Sequence, residues 1–248
     1  MASTTETGHA KNVSNFDELI SFATGYGATF NPSKALIKLP ALQAQSTASK
    51  SAVSAVNAAL SAYSNAVSAR EVAFEPFSKL STRILNALKA TDTSTQVDES
   101  AETIIRKIQG KRATAKKTEE EKQALATEGK STKEISTSQM SYDSRLDSFD
   151  KLIKLLTSVP LYAPNEAELK VTALTTLYAD LKAKNAAVVN TNTALSNARI
   201  ARNDIMYKPN TGLVDIALDT KTYIKSIYGA TSPQYKQISK LEFKTVKI

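Results

Sequence analysis

Long stretches without glycine or proline constrain this chain more than any other feature of its sequence. Residues 41–75, 77–109, 130–159 and 165–208 contain neither residue type. Glycine and proline are the residues that most destabilise a helix interior, so stretches of this length without them favour helices. With 7 Gly and 7 Pro in 248 residues, the chain has few places at which a helix must end. The sequence therefore predicts an all-α fold.

Apolar residues recur at alternating steps of three and four within these stretches. One such seam runs from Leu42 to Phe77, a second from Leu174 to Met206, and a third from Ile135 to Leu156. This heptad spacing places the apolar residues on one face of a helix, which then packs against a partner helix. A 40-residue helix is roughly 60 Å long. We therefore expect an elongated antiparallel helical bundle or coiled coil.

The two longest seams share a sequence pattern at a spacing of 132 residues. The segments Ser64-Asn65-Ala66 and Ala69-Arg70 recur as Ser196-Asn197-Ala198 and Ala201-Arg202, and Phe16-Asp17 recurs as Phe149-Asp150 at a spacing of 133. Related helical units that stack against each other bury a shared apolar face. The predicted fold is thus built from two internally repeated long-helix hairpin units.

This pattern predicts five segments along the chain. They are a polar amino-terminal tail at 1–13, a first helical repeat at 14–96, a charged helical connector at 97–134, a second helical repeat at 135–240 and a basic extended carboxyl-terminal tail at 241–248. Residues 109–134 are open to either helix or loop, because no large apolar residue lies between Ile108 and Leu125. The short helices could pack within the chain or exchange between subunits.

The amino-acid composition excludes, or argues against, several common kinds of active site. The chain has no Cys, so disulfides, thiolate metal sites and cysteine nucleophiles are excluded. Its one His, His9, lies in the predicted polar tail, which argues against a Ser–His triad or a multi-histidine metal site. Asp143, Asp147 and Asp150 could be mistaken for a metal site, but basic residues lie among them, so a surface stripe is favoured. No catalytic residue, cofactor or metal is predicted, and we expect a non-enzymatic protein.

Four of the polar residues on the predicted seams are candidates for burial or ion pairing. A buried charge without a partner costs several kcal/mol, so the seam arginines should pair with Asp215 or Asp219, or contact helix carbonyls near a break. The alternative is a pair of anion sites. Seam asparagines fix the register of a coiled coil, unless their face is open to solvent or meets another subunit. The candidate buried polar residues are Arg70, Arg202, Asn185 and Asn192.

Six cations within twelve residues form a candidate anion-binding patch. Clusters of this kind bind phosphate backbones or anionic lipid. Three glutamates at 119–121 follow at once and are spaced to pair with the last two lysines along a helix, so a solvated helix face is favoured. No aromatic residue lies in the cluster to stack on a base. The patch comprises Arg106, Lys107, Lys111, Arg112, Lys116 and Lys117.

The two ends of the chain carry opposite charge. Residues 221–248 contain six Lys and one Glu, which accounts for most of the net charge of +8, whereas residues 1–30 contain one Lys and three acidic residues. Opposite charges at the two ends favour a head-to-tail contact, which closes into a ring or propagates as a filament. The last eight residues are β-prone and end on apolar side chains. The candidate interface residues are Phe243, Lys244, Val246, Lys247 and Ile248.

These features favour a structural protein that self-assembles into a homo-oligomer or filament, with the chain itself as its partner. The alternative is a peripheral helical protein that acts on membranes, or binds anionic lipid or nucleic acid through the basic patch. In outline, the long amphipathic helices and the helical hairpin resemble the elongated bodies of α-helical pore-forming toxin components. That family inserts an apolar hairpin, and the nearest stretch here, Leu152 to Tyr162, is interrupted by Lys154 and Pro160. The resemblance transfers no site residue.

The sequence contains no apolar run of 18 residues and no signal-peptide pattern. The default expectation is a cytoplasmic protein. Export by a route without a cleaved signal is equally compatible with these observations.

Overall fold

The computed structural model describes residues 6–111, 118–127 and 140–245. Helices account for 80% of these residues, and no strand occurs among them. The prediction of an all-α fold is therefore confirmed. In chain order the α-helices are α1 (Glu6–Gly25), α2 (Leu39–Phe74), α3 (Phe77–Lys89), α4 (Thr95–Gln109), α5 (Glu119–Thr127), α6 (Tyr142–Thr157), α7 (Val171–Tyr207), α8 (Leu213–Tyr228) and α9 (Pro233–Ser239).

The two longest helices, α2 and α7, pack antiparallel to each other. They contain 36 and 37 residues and occupy the two longest stretches without an internal helix breaker. Pro40 lies in the first turn of α2, where its missing N–H leaves no helix hydrogen bond unmade. Pro76 follows the end of α2 and Pro209 follows the end of α7, because proline cannot continue the helix. The local sequence thus determines where both helices end.

The chain forms two compact units. Unit 1 comprises residues 1–64 and 191–248, and unit 2 comprises residues 65–190. This grouping differs from the predicted repeats at 14–96 and 135–240, which kept each long helix within one segment. The physical reason is that the two ends of a long helix enter different cores: Leu42 of α2 belongs to the core of unit 1, and Phe74 of α2 belongs to the core of unit 2.

The core of unit 1 draws residues from α1, α8 and α9 and from one part each of α2 and α7. Phe16, Leu42, Met206 and Ile224 are fully buried there. The polar tail predicted at 1–13 is helical from residue 6 onward, and Val13 is buried in this core. The hydrogen-bond partners that allow the polar residues of α1 to be buried are described below.

The core of unit 2 is built by α3, α4 and α6 against the remaining parts of α2 and α7. The Phe149 ring of α6 lies at its centre, edge-on to Phe77 with ring centroids 4.8 Å apart and to Tyr178 at 6.4 Å. Edge-on aromatic pairs add to the free energy of burial. α4 packs against both α3 and α6. It ends at Gly110, whose φ of 67° is the left-handed conformation that favours glycine after a helix.

We predict that Phe149→Ala destabilises the protein by about 3–5 kcal/mol, because it leaves a cavity under two aromatic rings. The unfolding free energy from a urea titration measures this loss. Val72→Ala is the matched control, since Val72 is 68% exposed and its truncation should cost less than about 0.5 kcal/mol. Equal losses for the two variants would contradict the position of Phe149 in the core.

The turn between α6 and α7 is closed by one tyrosine. The Tyr162 hydroxyl donates a hydrogen bond to the Leu169 carbonyl oxygen at 2.9 Å, and the side chain is buried. Burial raises the pKa of Tyr162 to about 12. The charged phenolate is therefore disfavoured in the folded protein.

A raised folded-state pKa gives a stabilisation that is complete below the unfolded value near 10 and is lost as pH rises towards 12. We therefore expect the unfolding free energy to fall between pH 10 and about 12, and Tyr162→Phe to remove part of that fall. Urea titrations of both proteins across this range measure the difference. Parallel curves for the two proteins would show that Tyr162 titrates normally.

Candidate functional site

The carboxyl-terminal residues 241–245, here called the C-terminal segment, lie as an extended peptide along α1 of the same unit. Asn12 Nδ2 donates to the Lys244 carbonyl oxygen at 2.8 Å, and the Lys244 N–H donates to Asn12 Oδ1 at 3.1 Å. Asn15 Nδ2 donates to the Glu242 carbonyl oxygen at 2.7 Å. Two side chains of a helix thus satisfy the main chain of the segment.

The spacing of these asparagines matches the spacing of the carbonyls that they bind. Residues three apart on a helix are neighbours on one face. In an extended chain, alternate carbonyls point to the same edge and lie about 6.6 Å apart. Asn12 and Asn15 therefore reach the carbonyls of alternate residues, Glu242 and Lys244. Because these bonds reach main-chain atoms, they do not depend on which side chains the segment has.

Apolar side chains and one lysine hold the segment in place. Leu241 is buried, and the Phe243 ring lies edge-on to Phe16 at 6.5 Å. Lys221 Nζ of α8 donates to the carbonyl oxygens of Ser239 at 3.2 Å and Leu241 at 2.9 Å. Burial lowers the pKa of Lys221. The segment is therefore part of the packing of unit 1.

A buried polar chain links α1 to the end of α7. His9 Nδ1 and the Tyr207 hydroxyl are 2.6 Å apart, and Asn12 Nδ2 donates to the same hydroxyl at 3.4 Å. His9 is 1% exposed. Polarity predicted that His9 lies in a solvated tail, but its partner in α7 satisfies it inside the protein. The signal that could have found this helix is the spacing of Val13, Phe16 and Leu19.

The structure places two of the five candidate interface residues. Phe243 and Lys244 were predicted to contact a neighbouring subunit, and both lie against α1 of their own chain. The bonds of Asn12 and Asn15 to the main chain of Lys244 and Glu242, together with the ring contact of Phe243, hold the segment there. Val246, Lys247 and Ile248 lie outside the described residues.

The seam residues Arg70 and Asn185 form one polar cluster in unit 2. Arg70 Nη1 donates to Asn185 Oδ1 at 3.0 Å, and Asn185 Nδ2 donates to Asp143 Oδ1 at 2.7 Å. The Arg70 guanidinium also lies 3.9 Å from the centroid of the Tyr142 ring. A cation over an aromatic face is stabilised by the ring quadrupole. Arg70 therefore joins α2 to α6 and α7 through Asn185 and Tyr142.

A second arginine lies beside this cluster. The Arg145 guanidinium is 5.2 Å from the Phe74 centroid and 5.1 Å from the Phe77 centroid. Burial lowers the pKa of Arg145. Within the described part of the chain, the buried Nε atoms of Arg70 and Arg145 make no hydrogen bond. Both guanidinium groups face aromatic rings, which is the arrangement of a packing contact.

Of the two remaining seam residues, Arg202 is buried and Asn192 is exposed. Arg202 is 4% exposed, and its Nε and Nη2 donate to Asn203 Oδ1 at 3.2 and 3.0 Å. Asn192 is exposed, which agrees with the alternative that its face is open to solvent or meets another subunit. Its seam neighbours Val188 and Leu195 are buried, so the apolar seam continues on both sides of it.

The aspartates proposed as arginine partners have other contacts. Asp219 forms an ion pair with Lys34. Asp215 Oδ2 accepts the Asn210 N–H at 2.8 Å, and Asn210 has the left-handed φ of 66°. Asp215 thus stabilises the turn that leads into α8.

Half of the candidate anion-binding patch is described, at the end of α4. Arg106 Nη2 donates to Thr103 Oγ1 at 2.9 Å, and its Nη1 lies 3.8 Å from Glu102 Oε1. Lys107 and Lys111 are exposed. Cations here also interact favourably with the carboxyl-terminal end of the helix dipole. Arg112, Lys116 and Lys117 lie outside the described residues.

An open groove of about 470 Å³ lies between α6 and α7, and we call it the unit 2 groove. Three carboxylates and one cation, Lys182, line it together with Leu146 and Val189. Asp147 pairs with Lys151 at 2.5 Å and Asp150 with Lys154 at 2.6 Å. The bond to Asp150 raises the pKa of Lys154. The carboxylates are Asp143, Asp147 and Asp150, the predicted surface stripe.

A smaller groove of about 360 Å³ lies between α1 and α2, and we call it the unit 1 groove. Val13 and Val53 line it, together with the ion pair between Asp17 and Lys50, whose atoms are 2.8 Å apart. The Ser46 hydroxyl also donates to Asp17 at 2.5 Å. One carboxylate and one cation are thus already paired in this groove.

Among the described residues, no group of three His, Asp or Glu side chains could hold a metal ion. No described helix is both long and apolar enough to span a bilayer. Comparison of the chain with protein-family models, with curated proteins and with solved structures found no match.

We predict that the double variant Asn12→Ala/Asn15→Ala releases the C-terminal segment. It removes three hydrogen bonds to the main chain, worth about 2 kcal/mol together, which raises the open population at least about tenfold. Limited trypsin digestion with mass spectrometry measures cleavage after Lys240 and Lys244. The control is Asn65→Ala, an exposed asparagine of α2. Cleavage at the wild-type rate in the double variant would contradict this docking.

Proposed function

We propose that this chain is a non-enzymatic structural protein that self-assembles into a homo-oligomer or filament through helical faces and terminal segments. The observation that supports this proposal is a pair of matching grooves, one in each unit. Both lie between a shorter helix and a long helix, α1 with α2 in unit 1 and α6 with α7 in unit 2.

The two grooves correspond residue by residue. Each residue that lines the unit 1 groove has a lining counterpart in the unit 2 groove, at a spacing of 133 from α1 to α6 and of 132 from α2 to α7. The pairs are Ala10 with Asp143, Val13 with Leu146, Ser14 with Asp147, Asp17 with Asp150, Lys50 with Lys182, Val53 with Asn185, Ser54 with Ala186 and Asn57 with Val189.

These are the spacings of the sequence repeat, and we infer from them that the chain is an internal duplication. The helix boundaries support this inference, because the 3-10 turn Ala35–Ile37 before α2 and the turn Ala167–Leu169 before α7 are also 132 residues apart. A duplicated unit presents the same kind of surface twice. Repeated surfaces suit repeated contacts between copies, as in helical repeat proteins.

A groove between two antiparallel helices is where a third helix packs in a bundle. The floors of both grooves contain apolar side chains, among them Val13 and Val53 in unit 1 and Leu146 in unit 2. The long helices also expose Val72, Val189 and Ile200, each more than half exposed, and Val189 lines the unit 2 groove. Single exposed apolar residues are ordinary on a protein surface, so the grooves carry the argument.

The alternative proposal is a peripheral protein that binds anionic lipid or nucleic acid. The exposed Lys107 and Lys111 support it, together with the net charge of +8. Against it, Arg106 of the same patch is occupied by Glu102 and Thr103. Self-assembly is therefore the function that we propose first.

Light scattering coupled to size-exclusion chromatography tests this function. We expect a mass above the 26.7 kDa of one chain, rising with protein concentration from about 5 to about 200 μM, because association follows mass action. Negative-stain microscopy of the same peak should give regular particles.

A mass of 26.7 kDa at every concentration would contradict self-assembly. Binding to anionic vesicles or to DNA, weakening steeply between about 50 and 200 mM salt, would then support the alternative.

A further inference from the structure

We propose that the unit 2 groove of one copy binds a basic face on unit 1 of a second copy. That face consists of Leu218, Thr222 and Lys225 of α8 and Lys236 of α9, and we call it the α8–α9 face. This inference rests on the proposed self-assembly and names the contact that would produce it.

The acceptor is the acidic wall of the unit 2 groove. Three carboxylates line it against one cation, Lys182. The ion pairs of Asp147 with Lys151 and of Asp150 with Lys154 are formed within α6, and all four side chains are partly exposed. Exposed pairs of this kind contribute about 1 kcal/mol or less, so exchanging one of the lysines for a lysine of another copy costs little.

The donor surface lies in a basic stretch of unit 1. Residues 221–241 contain four Lys and no acidic residue. Lys225 and Lys236 are exposed, and Lys225 Nζ lies 5.6 Å from the centroid of the Tyr235 ring, which brings the two helices together at this face. The two carboxylates in the preceding turns of α8 already have partners. Asp219 forms an ion pair with Lys34, and Asp215 accepts a hydrogen bond from the Asn210 N–H.

Both surfaces also expose a large apolar side chain. Val189 of the groove is 59% exposed, and Leu218 of the α8–α9 face is 48% exposed. Leu218, Thr222 and Lys225 follow one another at steps of four and three, so they form one ridge along α8. A ridge of this kind fits a groove between two antiparallel helices. Association would therefore bury apolar surface as well as pair opposite charges.

The unit 1 groove lacks the features that the unit 2 groove offers. Ala10 and Ser14 stand where the unit 2 groove has Asp143 and Asp147, and Asn57 stands where it has Val189. Only the unit 2 groove therefore presents three carboxylates together with an exposed valine to the α8–α9 face. Groove and face are different surfaces on different units, so the contact is head-to-tail and gives a ring or a filament.

Charge reversal on each side tests the contact. Asp147→Lys/Asp150→Lys alters the groove, and Lys225→Glu/Lys236→Glu alters the face. Each is expected to weaken assembly at least about tenfold in light-scattering titrations, because like charges then meet across the contact. The matched control for the groove is Glu71→Lys/Asp180→Lys, with the same change in charge on α2 and α7. Asp180 is two residues from Lys182 and so lies on another side of α7.

Mixing the two reversed variants provides the decisive measurement. The reversed face of one variant is complementary to the reversed groove of the other, and the two unaltered surfaces also match. We therefore expect an equimolar mixture to recover the assembly that each variant lacks. Circular dichroism melts establish that each variant is folded. If a reversal prevents folding, Asp147→Asn/Asp150→Asn and Lys225→Gln/Lys236→Gln replace it, and each should still weaken assembly.

The other outcomes are distinguishable. A wild-type protein that stays monomeric overturns both the proposed function and this contact. A wild-type assembly that the groove variant leaves unchanged, or reversed variants that do not recover when mixed, overturns this contact and leaves self-assembly standing. Wild-type binding to phosphatidylserine vesicles that is lost in Lys225→Glu/Lys236→Glu alone would assign the basic face to anionic lipid instead.

Discussion

Two long helices without internal breakers must bury an apolar seam along their length, and the rest of the structure depends on this constraint. Antiparallel packing of α2 and α7 meets part of it. Val56, Val188 and Leu195 are buried in their central regions. Near their ends, the shorter helices complete two separate cores. A helix in a folded protein gains most of its stability from tertiary packing of its apolar face, so the long helices depend on the shorter helices that pack against them.

Buried polar groups restrict each unit to one packing arrangement more strictly than the apolar pattern alone would. Arg70 enters an apolar seam at the cost of desolvation, and it is compensated by Asn185 and the Tyr142 ring. In unit 1, the Asn12 side chain forms hydrogen bonds with both the Tyr207 hydroxyl and the main chain of Lys244. Hydrogen bonds of this kind favour one arrangement over its alternatives, because a shifted register would remove them from groups that are still buried.

Sequence reasoning worked where local pattern decides and failed where distant residues decide. The seam from Leu42 to Phe74 is buried or half-buried as predicted, and the helix ends fall beside Pro76 and Pro209. For Asn192 the pattern left burial and exposure open, and the packed structure leaves it exposed between the buried seam residues Val188 and Leu195. The boundaries of the two compact units differ from those of the predicted repeats, since each long helix enters both cores. The matching grooves were not foreseen, because they are properties of paired helices.

Local sequence pattern is enough to make the chain helical, to end the long helices and to give each of them an apolar face. Those properties depend on helix propensity, proline and apolar spacing within a few turns. Tertiary contacts bury His9 against Tyr207, and Asn12 and Asn15 against the C-terminal segment. Asn12 and Lys244 are 232 residues apart in the chain. Polarity measures a side chain's preference for water, whereas the burial of a polar side chain depends on a partner that the local sequence does not contain.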